Sequence, residues 1–283
     1  YGRDAWEASV LANVWQRLWY KQSGAASVGR QEQAEHEGFL TMVAERADVP
    51  VQPVLAAGIA WGRDALLVRR DDGVLLVDAG EGALDEAHAR AAWDALARLH
   101  AVGIAHGDLR SRRLVLDGDE VRITDLASAV LGADESDLEA DRARLLVLTA
   151  VRLGVDDAVR VARDVLGDDT LVSAMPYLQP AAFDPETRRE IKAAPWKVAA
   201  LRDAITGATG AEAPPLEQLR RVTLAQIVML VVIVLVAYTI IGAIAGVGLS
   251  TLLAEFQGAN WWWVGAAVVL AFGIYVGQAI AVQ

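Results

Sequence analysis

There is no cysteine anywhere in the chain, so a disulfide framework and a thiolate metal site are both excluded, which fits a cytosolic domain. Histidine is scarce. The four present, His36, His88, His100 and His106, show none of the short spacings, such as HExxH, that hold a zinc ion. Charge is missing from one end almost entirely: of 26 Lys and Arg and 37 Asp and Glu, only Glu255 falls after Arg221. Two solvents are implied, water for residues 1–221 and lipid for the rest. The first part carries 26 minus 36, a net −10. It therefore lacks the basic face that a general nucleic-acid surface needs. An initiating Met and a basic-then-apolar leader are absent from YGRDAWEASVLANVWQRLWY, and the chain stops inside the apolar AIAVQ; residues of the native protein are expected beyond both ends.

What is present reads as alternating short elements. Asp4 to Tyr20 has helical apolar spacing with Asp4 as N-cap. Gln31 to Ala47 repeats it, with Phe39, Leu40 and Val43 on one face. The runs VQPVLAAGIAWG, DALLVRR and DDGVLLVDAG predict strands, with DDG as the turn between two of them. Leu84 to His100 predicts a helix that turns Trp93, Leu96 and Leu99 inward and stops at Gly103. After it come HGDL, a strand RRLVL, a turn DGD and a strand EVRITDL. Asp137 to Val155 begins a further helical region, and Pro176, Pro180 and Pro185 punctuate its exit. The composition divides the chain into a domain over residues 1–204, a Gly, Ala and Pro linker over 205–221 and a membrane part over 222–283.

In that last part, Leu224 to Ile244 holds no charge over the length needed to cross a bilayer core. Trp261 to Val282 is the second such run, and its triple Trp suits the headgroup interface. A transmembrane α-helical hairpin is expected. Arg220 and Arg221 directly precede the first span, and no Lys or Arg lies in the loop after it. By the positive-inside rule the N-terminal domain is expected on the cytoplasmic side of the cell membrane.

Chemistry concentrates in HGDLRSRRLVL, His106 to Leu116, and in ITDLA, Ile123 to Ala127. A phosphoryl-transfer site needs one carboxylate to orient the attacking hydroxyl and a second to hold Mg²⁺, usually with an amide for another metal ion. Asp108 and Asp125 stand in the order and at the spacing those two roles need. On these residues, positions 1 to about 180 resemble an aminoglycoside-phosphotransferase-like protein kinase. The resemblance implies an α+β kinase-like domain, its N-terminal part truncated, that uses ATP and Mg²⁺. Asp108 would be the base, His106 a brace of the loop and Asp125 the Mg²⁺ ligand. Glu37, in EHEGFL, is similar to the glutamate that pairs with an ATP-binding lysine, and Asp141, in LEADRARLLVL, to the aspartate that braces the catalytic loop. LLVRRDDG resembles the crossover between lobes.

The departures are equally specific. Arg113 stands where the family has its metal-binding asparagine, five residues after Asp108, and its cation would repel the metal that an amide binds. No glycine-rich loop and no lysine strand are visible; on this resemblance they would precede Tyr1. Lys21 is the one substitute within the chain. Plainer readings stand beside these: Asp108 and Asp125 as scaffold, Glu37 as a surface residue, Asp141 as a helix-start charge. RSRR, Arg110 to Arg113, would be a solvated turn, or a contact for phosphate or anionic lipid.

Residues 216–283 are similar to the start of the lysylphosphatidylglycerol-synthase-like, or flippase-like, membrane family, which implies further transmembrane helices beyond this chain. Three functions follow as expectations. The first is a kinase-like, pseudokinase or nucleotide-binding regulatory module of a multispan membrane protein linked to lipid or envelope processes. The second is an active ATP-dependent phosphotransferase acting on a hydroxyl of unknown identity. The third is a scaffold domain without a ligand.

Overall fold

The computed structural model describes residues 30–59, 65–70, 72–80 and 82–217, with 229, 231–236, 238 and 262 beyond them. The helix expected over Asp4 to Tyr20, and Lys21, lie outside the described residues. Two compact units divide at the basic pair, Tyr1–Arg221 and Val222–Gln283.

The first unit opens with α1 (Arg30–Arg46), whose buried stripe is Ala34, Glu37, Leu40, Thr41 and Ala44. That three-four spacing is one helix face. Phe39, one step round from Leu40, is half exposed, contrary to the sequence expectation. β1 (Val54–Ile59) and β2 (Ala65–Arg69) form an antiparallel pair that packs on α1. The chain then leaves that sheet. β3 (Val74–Leu75) pairs not with β2 but with β5 (Leu114–Asp117), which pairs in turn with β6 (Glu120–Ile123). Asp72 and Gly73 therefore lie on a crossover between two sheets and not in a hairpin turn. Gly73 makes the crossing possible: its φ is +86°, and a Cβ there would lie 2.5 Å from the Leu116 carbonyl oxygen.

Between these strands runs α2 (Glu86–Ala101), capped by Asp85, whose carboxylate accepts the His88 N–H at 2.9 Å. Ala89, Ala92, Trp93, Ala95, Leu96 and Leu99 bury its inner face. β4 (Ile104–Ala105) follows and pairs with β7 (Val130–Leu131). A two-residue turn at Gly118 and Asp119 closes β5 onto β6, with Asp117 opposite Glu120 and Gly118 at a φ of +59°.

The rest is helical: α3 (Glu135–Leu153), α4 (Val155–Leu166), α5 (Asp168–Ser173), α6 (Pro185–Ala193) and α7 (Val198–Thr209). Gly154, at a φ of +90°, separates α3 from α4. Pro176 and Pro180 sit in 3₁₀ turns, and Pro185 takes the first turn of α6, where a missing N–H costs nothing. α7 corrects the sequence boundary: residues 205–209, read as linker, continue the helix, because Leu201 and Ile205 are buried in the core.

Of the second unit, Met229, Val231 to Val236, Tyr238 and Trp262 are helical and exposed. Among the described residues no helix is long and apolar enough to cross a membrane. Most of the two expected spans lies outside the described residues.

Candidate active site

Two hairpin-like returns bring the site together. The loop from His106 to Arg113 hangs between β4 and β5, and the β5–β6 hairpin carries Thr124 and Asp125 back beside it. One helix fixes the start of the loop. Asp141 is fully buried two turns into α3, so it is not a helix-start charge. Its carboxylate accepts the backbone N–H of His106 and, at 3.1 Å, that of Gly107, and it pairs with Arg144 at 2.9 Å. Burial alone would raise its pKa. The His100 ring, with Nε2 3.5 Å from the carboxylate, and the charge of Arg144 outweigh burial and hold the carboxyl at about 2.

His106 is buried as well. Its Nε2 donates to the Thr124 carbonyl at 3.1 Å, and its Nδ1 accepts the Asp108 N–H at 3.2 Å. The two bonds define one neutral tautomer, and burial pushes the imidazole pKa down, so the ring stays uncharged. It ties the loop to the segment carrying Asp125. Asp125 itself adopts φ 61°, ψ 66°, the left-handed region, with no glycine's freedom to explain it. Strained backbone of this kind concentrates at functional sites.

Arg113 occupies the centre. Its Nη2 and Nε bond Asp108 Oδ2 at 2.9 and 3.2 Å, while Nη1 pairs with Asp125 Oδ2. Desolvation works against its charge, but Asp125 and Asp108 more than compensate and raise its pKa, so the guanidinium stays protonated. Asp108 has a second cation, Arg110 at 3.0 Å, and Asp125 Oδ1 lies 3.8 Å from Arg69. The residues expected to orient a hydroxyl and hold Mg²⁺ are thus bridged by one arginine.

Mg²⁺ does not fit this arrangement. Two unit charges 4 Å apart interact by about 4 kcal/mol at an effective dielectric near 20, so a dication brought to Asp125 beside Arg113 meets roughly twice that in repulsion. Nor do the described residues contain a group of three or more His, Asp or Glu able to hold a metal ion. The Mg²⁺ placed on Asp125 by the sequence reading meets a guanidinium there instead.

Several partners were illegible in the sequence. Glu37 is buried and paired with Arg69 at the end of β2, within the chain, where the resemblance placed a lysine before Tyr1. RSRR is not a solvated turn. Arg112 bonds Glu186 at 2.9 Å, Arg110 lies 3.5 Å from Glu186 and 3.8 Å from Asp184, and the Ser111 hydroxyl donates to Glu190 at 3.2 Å. Asp-Pro-Glu at 184–186 is legible as a helix start. Its pairing with a loop so much earlier in the chain is not.

Beside Asp125 opens a cleft of about 300 Å³, lined among others by Gln52, Arg69, Leu75, Arg113 and Thr124. Gln52 is already committed: its amide donates to the Arg70 carbonyl at 2.8 Å and its oxygen accepts the Thr124 hydroxyl at 2.7 Å. The cleft's remaining donors are guanidinium groups.

Loop, brace and returning hairpin belong to a mixed α+β domain, in the arrangement that the kinase resemblance implies. No family model and no curated protein matches the chain. Among solved structures it is similar to WbdD, a bifunctional kinase-methyltransferase, at 16% identity over 65% of this chain and 36% of that chain, TM-score 0.36. A divergent kinase lacking the glycine-rich loop, which regulates membrane ultrastructure of the Toxoplasma parasitophorous vacuole, is similar at 17% identity over 65% and 69%, TM-score 0.37. The Mycobacterium tuberculosis PknI kinase domain is similar at 20% identity over 61% and 78%, TM-score 0.35. The chain spans little more than a third of the WbdD chain. Likenesses this distant assign no role to any residue, and the roles considered below rest on the geometry alone.

Proposed function

We propose that residues up to about 210 form a kinase-like module that binds a nucleotide without transferring its phosphate, and that it regulates a multispan membrane protein concerned with lipid or envelope precursors. The single observation carrying the first half is Arg113 bridged between Asp108 and Asp125. A base whose carboxylate is held by two arginines is poorly placed to accept a hydroxyl proton, and the same loop is clamped to the first turn of α6. The nucleotide would lie in the cleft beside Asp125.

Equilibrium binding and turnover, measured together on the full chain in detergent, test this reading. ATP is expected to bind, with turnover below about 10⁻³ s⁻¹ against the 1–100 s⁻¹ typical of kinases. Turnover in that ordinary range, abolished by Asp108→Asn, would establish the phosphotransferase reading instead. No nucleotide binding at all would leave the scaffold.

The membrane half rests on the sequence: behind Arg220 and Arg221, Glu255 is the only charge in the rest of the chain. Exposed apolar side chains from Val231 to Val236 support it, since water is a poor neighbour for a helical stretch apolar on every side. The module would face the cytoplasm, with lipid and further transmembrane helices as partners of the last part. The chain is expected to stay with membranes after alkaline extraction, and protease added to intact cells should spare residues up to 221. Release by alkali would refute the anchoring, and digestion from outside would refute the orientation.

A further inference from the structure

We propose that the cleft takes the polyphosphate of a nucleotide free of any divalent cation, with Arg113 and Arg69 supplying the positive charge that a metal ion supplies in a phosphoryl-transfer site. The proposal rests on the nucleotide-binding reading above and states how that site would recognise its ligand.

A count of donors carries it. Asp108 and Asp125 are shared among Arg69, Arg110 and Arg113. Glu37 also pairs with Arg69 and Arg110 is shared further with Asp184 and Glu186, so what favours an anion is the guanidinium groups that line the cleft and not a net charge. A dication gains from carboxylates whose lone pairs and charge are available; here both Asp125 oxygens already face guanidinium groups. A polyphosphate needs the opposite, N–H groups with hydrogens to give. Arg113 has five such hydrogens. Three go to carboxylates, through Nε, Nη1 and Nη2, which leaves one on each terminal nitrogen. Arg69 bonds Glu37 through Nη2. Both side chains line the cleft, and Asp125 is the only carboxylate among its described lining residues. Arginine's planar fork suits phosphate oxygens, and a charge-assisted bond of this kind is about twice as strong as a neutral one. Because the two guanidinium groups are held in place by carboxylates before any ligand arrives, little is lost in ordering them.

Calorimetry on the full chain in detergent tests this, with ATP titrated once in excess EDTA and once in excess Mg²⁺, and inorganic triphosphate titrated in EDTA. Affinity for ATP in EDTA is expected to equal or exceed that in Mg²⁺, and triphosphate alone should bind. In Arg113→Asn the EDTA affinity should fall about tenfold or more, the loss of one to two charge-assisted bonds, and Mg²⁺ should restore it. Wild-type binding at least about tenfold weaker in EDTA than in Mg²⁺ would overturn the proposal while leaving nucleotide binding intact. ATP binding without any binding of triphosphate would overturn it too, placing recognition on the base. Absence of ATP binding in both buffers would refute the reading beneath it. The wild-type comparison decides the matter even if the variant fails to fold.

Discussion

Asp141→Ala is expected to lower the melting temperature of the chain's first unit by about 10 °C. The side chain has no solvent exposure, and it satisfies two backbone N–H groups of the catalytic-type loop and the guanidinium of Arg144. Removing one member of a buried ion pair costs roughly 3–5 kcal/mol because the other charge is left uncompensated. A kilocalorie moves the midpoint of a domain of about 150–250 residues by about 2–4 °C. Asp141→Asn keeps the shape and should recover part of the loss. The pH dependence separates charge from shape. Asp141 titrates at about 2 in the folded chain, below its ordinary value near 3.9 when unfolded. Its contribution is therefore complete above about pH 5 and drains away as pH falls through 2, by roughly 2–3 kcal/mol in all for the shift involved. Denaturant unfolding of wild type and Asp141→Asn at a series of pH values should show their difference narrowing over that range. A constant difference down to pH 2 would mean that the carboxylate charge is not what stabilises the loop.

Asp141 also marks the limit of local sequence reasoning: only the resemblance set it beneath the loop, where its carboxylate is found. An aspartate near a helix start is ordinarily a dipole charge, and nothing in LEADRARLLVL alone says that this one is buried beneath a loop 34 residues earlier. What the local pattern could carry was the loop and its return. HGDL follows a helix whose apolar spacing is unmistakable, and a short turn between two β-rich runs can only fold Asp125 back toward Asp108. Those inferences depend on nearest neighbours and on periodicity, which are written in the chain.

The pairings that decide the chemistry are of another kind. Arg69 meets Glu37 because β2 packs across α1, and Glu186 meets Arg112 because α6 starts beside the loop. Each is a contact between elements far apart in sequence, with no periodic signal. Ile205 to Thr209 misled for a different reason. A Gly and two Thr in ITGAT lower helix propensity, yet the burial of Leu201 and Ile205 outweighs it, as tertiary packing usually does. Arg113 was visible as a departure from asparagine, but its position between the two carboxylates required the fold.

Arg113→Asn is the second large effect, and the most direct measure of whether that arginine disarms the site. With the guanidinium gone, among the described residues Asp108 keeps Arg110, Asp125 keeps Arg69 at 3.8 Å, and an amide takes the place of a cation. The charge around Asp125 turns negative, the condition that a metal-dependent site requires. The decisive measurement is the rate of phosphate release from ATP by the wild-type chain, Arg113→Asn and Arg113→Asn with Asp108→Asn, each with Mg²⁺ and with EDTA. Wild type is expected at background. Arg113→Asn is expected to release phosphate slowly, at least about tenfold above background, only with Mg²⁺, and the second substitution should return it to background. Measurable turnover by wild type that Arg113→Asn abolishes would contradict this, and would make the arginine a working part of an active phosphotransferase.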